Sequence, residues 1–233
     1  TEIYTLSLHD ALPIYQARYL ARALGSVTWQ LGPQDEVIVV DDASEDLGSF
    51  SPAAAFRQRI MWLRNDRQRG VSFGRNRAIR RSRAEWIKFL DADDILVPFA
   101  LEAVRQPDTP LDPGTMVLAG GCHRVLDGRH LDYLEGAEQS LKDILHANPL
   151  LPSATFVRRR ALFEVGLFDE RIDFEEDWDL WLRLHRRFGA SAFAVLGVPI
   201  CYYWIGTEDR AAARRRATVD GVPVREYLRR QYG

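Results

Sequence analysis

Between Gln16 and Gln30 the apolar residues Tyr19, Leu20, Ala23, Leu24 and Val27 recur three and four apart, the period of one amphipathic helix, and "LGPQD" then breaks it. The next run, "EVIVVDD", is short, continuous and β-branched, which predicts a strand buried on both faces and ending in two acids. "RIMWLRN" and "EWIKFLDADD" predict two more buried strands, separated by "GVSFGRNRAIRRSRA", a glycine turn leading into an arginine-rich helix. Helix, strand, loop, strand, helix, strand is the alternation of an α/β sheet with helices on its faces.

Further along, "VPFALEAVRQ" predicts a helix and "PDTPLDPG" a proline-rich connector. "TMVLAGGCHRVLDGRHLDYL" predicts two strands about an "LDGR" turn, where parallel pairing gives way to antiparallel. "SLKDILHA" predicts a short helix, "SATFVRRRALFEVG" a strand running into a helix, and "FEEDWDLWLRLHRRFG" a strongly amphipathic helix closed by Gly189. The basic run from Arg210 to Arg216 is expected to be a solvated helix face.

Composition excludes more than it selects. With 46% apolar and 27% charged residues over 233 positions, the chain suits a single globular domain and is too apolar for a disordered one. A net charge of -2 removes any global attraction to nucleic acid or anionic lipid, so recognition must be local. Lys88 and Lys142 are the only lysines among 31 basic residues, a bias of the kind a GC-rich genome produces. No apolar run approaches the roughly 18 residues of a membrane span. Cys122 and Cys201 stand far apart in sequence and outside any C-x-x-C, and are expected to be small buried residues rather than a disulfide or zinc site, in keeping with a reducing cytoplasm.

Three acidic clusters carry the candidate chemistry. Asp41 and Asp42 end one buried run, and Asp91, Asp93 and Asp94 end another. In open α/β sheets ligands bind beyond the carboxyl ends of the strands, so both clusters point to one crevice. Three acids in four residues exceed what a helix cap needs; a hard divalent cation bridging to a ligand phosphate would offset their repulsion. For Asp41 and Asp42 ordinary turn chemistry is an equal alternative. The third cluster, Glu175, Glu176, Asp177 and Asp179, opens the last amphipathic helix, where acids suit the helix dipole. Trp178, Trp181 and Leu182 form a buried stripe on that helix, and a carboxylate held beside it is a reasonable general base.

The motifs "VIVVDDASED", "GVSFGRNRAI", "EWIKFLDADDILVP", "GLFDER" and "EDWDLWLRL", in this order and spacing, resemble the family 2 glycosyltransferases with the GT-A fold, a mixed, mostly parallel sheet flanked by helices. The resemblance runs from about Tyr15 to about Tyr203. It implies a GT-A domain over 15–206, with a nucleotide-sugar-binding half to 110 and an acceptor-binding half over 111–206, followed by a helical tail over 207–233. It also implies inverting transfer from a nucleotide-diphosphate sugar, a UDP-sugar first among them, to a hydroxyl of a glycan or lipid-linked glycan in cell-surface polysaccharide synthesis. By position, Asp41 and Asp42 would serve the donor, with Asp42 on the nucleobase. Asp91 and Asp93 would hold Mg or Mn, Asp93 as principal ligand, and Asp177 would be the base with Glu176 and Trp178 near the acceptor. Arg75 is a candidate for charge near the phosphates, or else a surface arginine, and Asn76 for pinning neighbouring loops. Such an enzyme would be cytoplasmic, with the inner face of the membrane as a further expectation, and would have no nucleic-acid partner.

Two departures from the family stand out. "YYWIG" carries Trp204 and Gly206 where the family has a late arginine and histidine. The opening "TEIYTLSLHDALPI" stands where the family has a buried first strand, and is similar to one reading frame of a sequencing-library adapter; residues 1–14 are therefore expected to be foreign to a truncated gene. A strand is still expected there, because a gap in the sheet favours any apolar segment. Two rival classes share parts of this pattern. A degenerate sugar-nucleotide-binding domain would bind without turnover. A signalling receiver needs a lysine beyond a later strand, whereas Lys88 precedes the acids and Lys142 is expected in a distant polar helix.

Overall fold

The computed structural model describes residues 2–8, 16–44, 60–105, 111–126, 128–134, 144–148, 150–205 and 217–232. Along the chain these form β1 (Glu2–Leu8), α1 (Gln16–Thr28), β2 (Glu36–Asp41), β3 (Ile60–Arg64), α2 (Val71–Arg81), β4 (Trp86–Asp91), β5 (Ile95–Leu96), α3 (Ala100–Arg105), β6 (Val117–Leu126) and β7 (Arg129–Leu134). There follow β8 (Thr155–Arg158), α4 (Arg159–Glu164), α5 (Glu176–Phe188), β9 (Phe193–Trp204), β10 (Thr218–Val219), β11 (Val222–Pro223) and α6 (Val224–Tyr232).

One sheet runs in the order β3-β2-β1-β4-β8-β6-β9-β5, with β7 added to β6. The first four strands are parallel, and β8 turns antiparallel between β4 and β6. Alternation along β2 explains why it reads as a continuous apolar run: Val37 and Val39 face one layer and Ile38 and Val40 the other. On the first face α1 lays down Leu20, Ala23, Leu24 and Val27. On the second, Ile79 of α2, Leu162 of α4 and Leu180, Trp181 and Leu184 of α5 cover Ile87, Phe89 and Val157. β1 occupies the centre, parallel to both neighbours, with Thr5 the register partner of Ile38 and Phe89.

β6 has a register break at Gly120 and Gly121, where its pairing with β9 slips. Beyond the break, β5, β9, β6 and β7 form an outer row of strands.

Several expectations change. β3 is an edge strand, with Met61 and Trp62 each 37% exposed, because among the described residues it pairs with β2 alone and ends the sheet. β9 and the two-residue β5 were not anticipated. "SLKDILHA" begins outside the described residues, and its described part, from Ile144, is a turn. The basic run at 210–216 also lies outside them; the described tail is a β10–β11 hairpin before α6, so it is not wholly helical. Cys122 and Cys201, distant in sequence, are register partners on β6 and β9, both buried and unoxidised. No helix among the described residues is long and apolar enough to cross a membrane.

Candidate active site

Parallel pairing puts the carboxyl ends of β2, β1 and β4 on one rim. Leu8 is the partner of Asp41 and Ser7 that of Asp91, so the two aspartates stand two strand spacings apart, roughly 10 Å between backbones. Asp41, buried at 4% exposure, accepts the Ser44 amide at 2.9 Å and pairs with Arg64. Asp42 accepts the Arg69 and Gly70 amides at 2.9 Å and the Asn65 side chain at 2.5 Å. Gly70, at φ 86, is in the left-handed region that lets consecutive amides converge on one carboxylate. The carboxylate expected on a nucleobase thus shapes the loop that opens α2.

Arg75 is the structural centre of the site. The alternative of a surface arginine is wrong: its side chain is 2% exposed. One guanidinium nitrogen donates to Asp91 Oδ1 at 2.9 Å and another to Glu176 Oε1 at 2.7 Å, while Phe168 and Phe89 flank the group. Burial works against the charge, yet Asp91, Glu176 and Asp177 together hold this guanidinium protonated beyond the ordinary arginine range. Its neighbour Asn76 does pin loops, bonding the backbone of Phe168 through both ends of its amide and also Glu170, all at 2.9 Å.

α5 starts under strain. Glu175 sits at φ 61 and ψ 23, a left-handed conformation that costs a non-glycine residue about 1–2 kcal/mol, and its buried carboxylate takes two bonds from Arg225 of α6. This turn delivers Glu176 and Asp177 to the rim. Burial is the main force lifting both: Glu176 to about 7, against the pull of Arg75 and with the push of Asp177, and Asp177 to about 6, against an Asn148 hydrogen bond and Arg75. Asn148 Nδ2 donates to Asp177 at 2.9 Å. A half-buried carboxylate lifted toward neutrality is suited to taking up a proton.

Trp178 departs from expectation. It is 2% exposed, packs with Ile172, Leu182, Val219, Val224 and Leu228, and donates its indole N–H to Ile144 at 2.7 Å. It anchors α5 beneath the C-terminal hairpin and helix and presents no face to an acceptor. Asp179 is likewise buried, held by Arg183 at 2.6 and 2.8 Å and by the Tyr232 hydroxyl at 2.8 Å.

Asp91 and Asp93 keep partly exposed side chains at the rim, while Asp94 turns inward. Burial, then Asp93 and Asp91, pushes the Asp94 carboxyl well above the usual range; one oxygen accepts the Trp204 amide at 3.0 Å. Lys88, fully buried beneath, donates to carbonyls of Phe89 and Ser153, and burial lowers it to about 8 against the pull of Cys201, Asp94 and Asp91. Ser153 accepts the Asp91 amide at 3.1 Å. Among the described residues no three or more His, Cys, Asp or Glu side chains gather as a metal cage. Two rim carboxylates nevertheless fit a hard cation that takes its other ligands from substrate phosphates and water.

Sequence reasoning missed Asn148, Ser153 and Arg225. Asn148 lies in an irregular segment, Ser153 in a short 3-10 helix and Arg225 in the terminal helix, and each acts on a residue distant in sequence.

Fold and rim together define the GT-A fold of the glycosyltransferases. The chain matches the description of Glycosyl transferase family 2 over residues 11–108, less than half of its length. It is similar to an uncharacterized glycosyltransferase of Rickettsia conorii, 26% identical over 79% of this chain and 32% of that protein. It also resembles the succinoglycan biosynthesis protein ExoO of Rhizobium meliloti, 33% identical over 62% of this chain and 39% of that one. Among solved structures, S. aureus TarS 1-349 in complex with UDP-GlcNAc superposes with a TM-score of 0.65 at 18% identity, covering 89% of this chain and 59% of that one. A mannosyltransferase from Pyrobaculum calidifontis in complex with GDP-Man and Mn2+ gives 0.61 at 17%, over 92% and 60%. The chain thus spans only about a third of the Rickettsia conorii relative.

Proposed function

We propose that the protein transfers a sugar, with inversion, from a nucleotide-diphosphate sugar to an acceptor hydroxyl. The observation that carries the reading is the Arg75 bridge: one buried guanidinium joins Asp91, at the end of β4, to Glu176, at the start of α5. It ties Asp91 to the start of the helix that carries Asp177. Asp177 takes the acceptor proton as the acceptor oxygen forms its bond to the anomeric carbon. The bond from that carbon to the diphosphate breaks, and its electron pair leaves with the phosphate. Arg75 keeps Asp91 and the base helix in place and offsets part of their negative charge. A Mg or Mn ion on Asp93 and Asp91 would supply charge stabilisation to the departing diphosphate. Donor classes are suggested by the UDP-GlcNAc and GDP-Man of the structural neighbours, and a glycan or lipid-linked glycan acceptor in polysaccharide synthesis by the succinoglycan relative. That role suits a cytoplasmic enzyme working near the membrane.

The test compares Asp93→Asn and Asp177→Asn. Calorimetry with UDP and Mn is expected to show metal-dependent binding lost in the first and kept in the second. UDP release from a panel of UDP-sugars should fall about a hundred- to ten-thousand-fold in the second. An Asp177→Asn chain as fast as its parent removes Asp177 from the role. UDP binding without release in the parent points to the binding-domain alternative.

A further inference from the structure

Glu175, the residue that opens α5, departs from the usual behaviour of an acid at a helix start. Such a residue ordinarily takes an extended backbone and turns its side-chain oxygen onto the amides of the first turn. Glu175 has a left-handed backbone at φ 61, and its side chain makes no capping bond to its own helix. Its carbonyl still starts the helix, accepting the Asp179 amide at 3.1 Å. Strained backbone of this kind persists only where its surroundings hold it. The carboxylate, 4% exposed, reaches across to α6, where Arg225 Nε and a terminal guanidinium nitrogen donate to the same oxygen at 2.9 and 2.8 Å. A buried carboxylate requires such a partner, so the pair fixes where this side chain points.

One turn further on, α6 grips α5 again. The Tyr232 hydroxyl donates to Asp179 at 2.8 Å, and Val224 and Leu228 pack with Trp178 and Leu182. Between the two grips, Glu176 reaches Arg75 at 2.7 Å and Asp177 meets the Asn148 amide at 2.9 Å. Four acids thus fall within five positions, and their partners differ. Among the described residues Glu175, Glu176 and Asp179 pair with Arg225, Arg75 and Arg183, whereas the side chain bonded to Asp177 is a neutral amide. The arginines fasten the turn, and the carboxylate left without an ion pair is the one suited to taking up a proton.

We propose that Arg225 is a positioning residue for the base: its ion pair with Glu175 holds the first turn of α5 in the form that presents Asp177 to the acceptor. This rests on the glycosyl-transfer reading and adds that the C-terminal helix controls the geometry of the base. Arg225→Ala is expected to lower kcat for UDP release about ten- to a hundred-fold, the scale of a reacting group misplaced by about 1 Å, with donor KM and UDP affinity unchanged. Arg225→Lys keeps the charge and should restore most of the rate. Glu175→Gln, nearly isosteric, should reproduce the loss, and the double variant should be no slower than either single one, because each change removes the same interaction. By nuclear magnetic resonance the Asp177 carboxyl carbon, identified by its absence in Asp177→Asn, should shift in Arg225→Ala and return in Arg225→Lys. If Arg225→Ala does not fold, the lysine and glutamine variants carry the same comparison. Unchanged kcat in Arg225→Ala or Glu175→Gln, a loss that lysine does not relieve, additive losses in the double variant, or an unmoved Asp177 signal each overturn the role. A parent that releases no UDP from any sugar counts against the transfer reading alone, since the Asp177 signal requires no turnover.

Discussion

Asp177 owes its proton affinity to two opposed influences: burial lifts its carboxyl to about 6, and the Asn148 hydrogen bond, which favours the ionised form, holds it down. A base must be ionised to act, so kcat/KM should rise with pH through this value. Asn148→Ala removes a bond to the carboxylate, and the acid limb of the profile should therefore move upward, with activity lost at low pH and recovered well above neutrality. A pH–rate profile of parent and variant checks the shift; a limb that stays in place separates Asn148 from the base. The place of Asp177 in the first turn of α5 was legible in "EDWDLWLRL". Asn148 was not, because 29 residues separate it from Asp177 and only the packing of its turn against α5 joins them.

Helix α5 shows where reasoning within one element stops. Asp179 lies two residues beyond Asp177 and about 200° around the helix, which on a bare helix predicts a silent substitution. In the fold that side of the helix meets α6, and the Asp179 carboxylate fastens Arg183 and Tyr232. Arg183 in turn reaches the carbonyls of Val165 and Leu167 at 2.7 and 2.6 Å. Asp179→Asn should therefore cost about 1.5–3 kcal/mol of stability, the usual scale for a hydrogen bond to a charged group, while sparing UDP affinity. Thermal melting and calorimetry on the same sample distinguish this from a catalytic effect. The strand β3 makes the same point: its apolar run predicted burial, and its position at the edge of the sheet left Met61 and Trp62 partly in solvent.

At the scale of the molecule everything at the rim depends on β1. It joins β2 to β4, and so sets Asp41 and Asp91 at their separation. Removing residues 1–8 leaves two central strands with unpaired backbone, a state that invites aggregation. The shortened chain should lose its cooperative melting transition by circular dichroism and bind apolar dyes. A sharp transition near that of the parent would mean that another segment fills the gap.

Helical and strand periods and the order of five motifs were sufficient, from sequence alone, for the fold class and for α1, α2 and the strands β2, β3 and β4. Each depends on residues within one element or its immediate turn. Which partners those residues take was decided by the tertiary structure. Arg75 and Glu176 stand 101 residues apart, and Glu175 and Arg225 stand 50 apart. Burial of Arg75 and the lift of Glu176 and Asp177 arise from groups brought together by sheet order, and sheet order is a property of long-range pairing that no local period encodes.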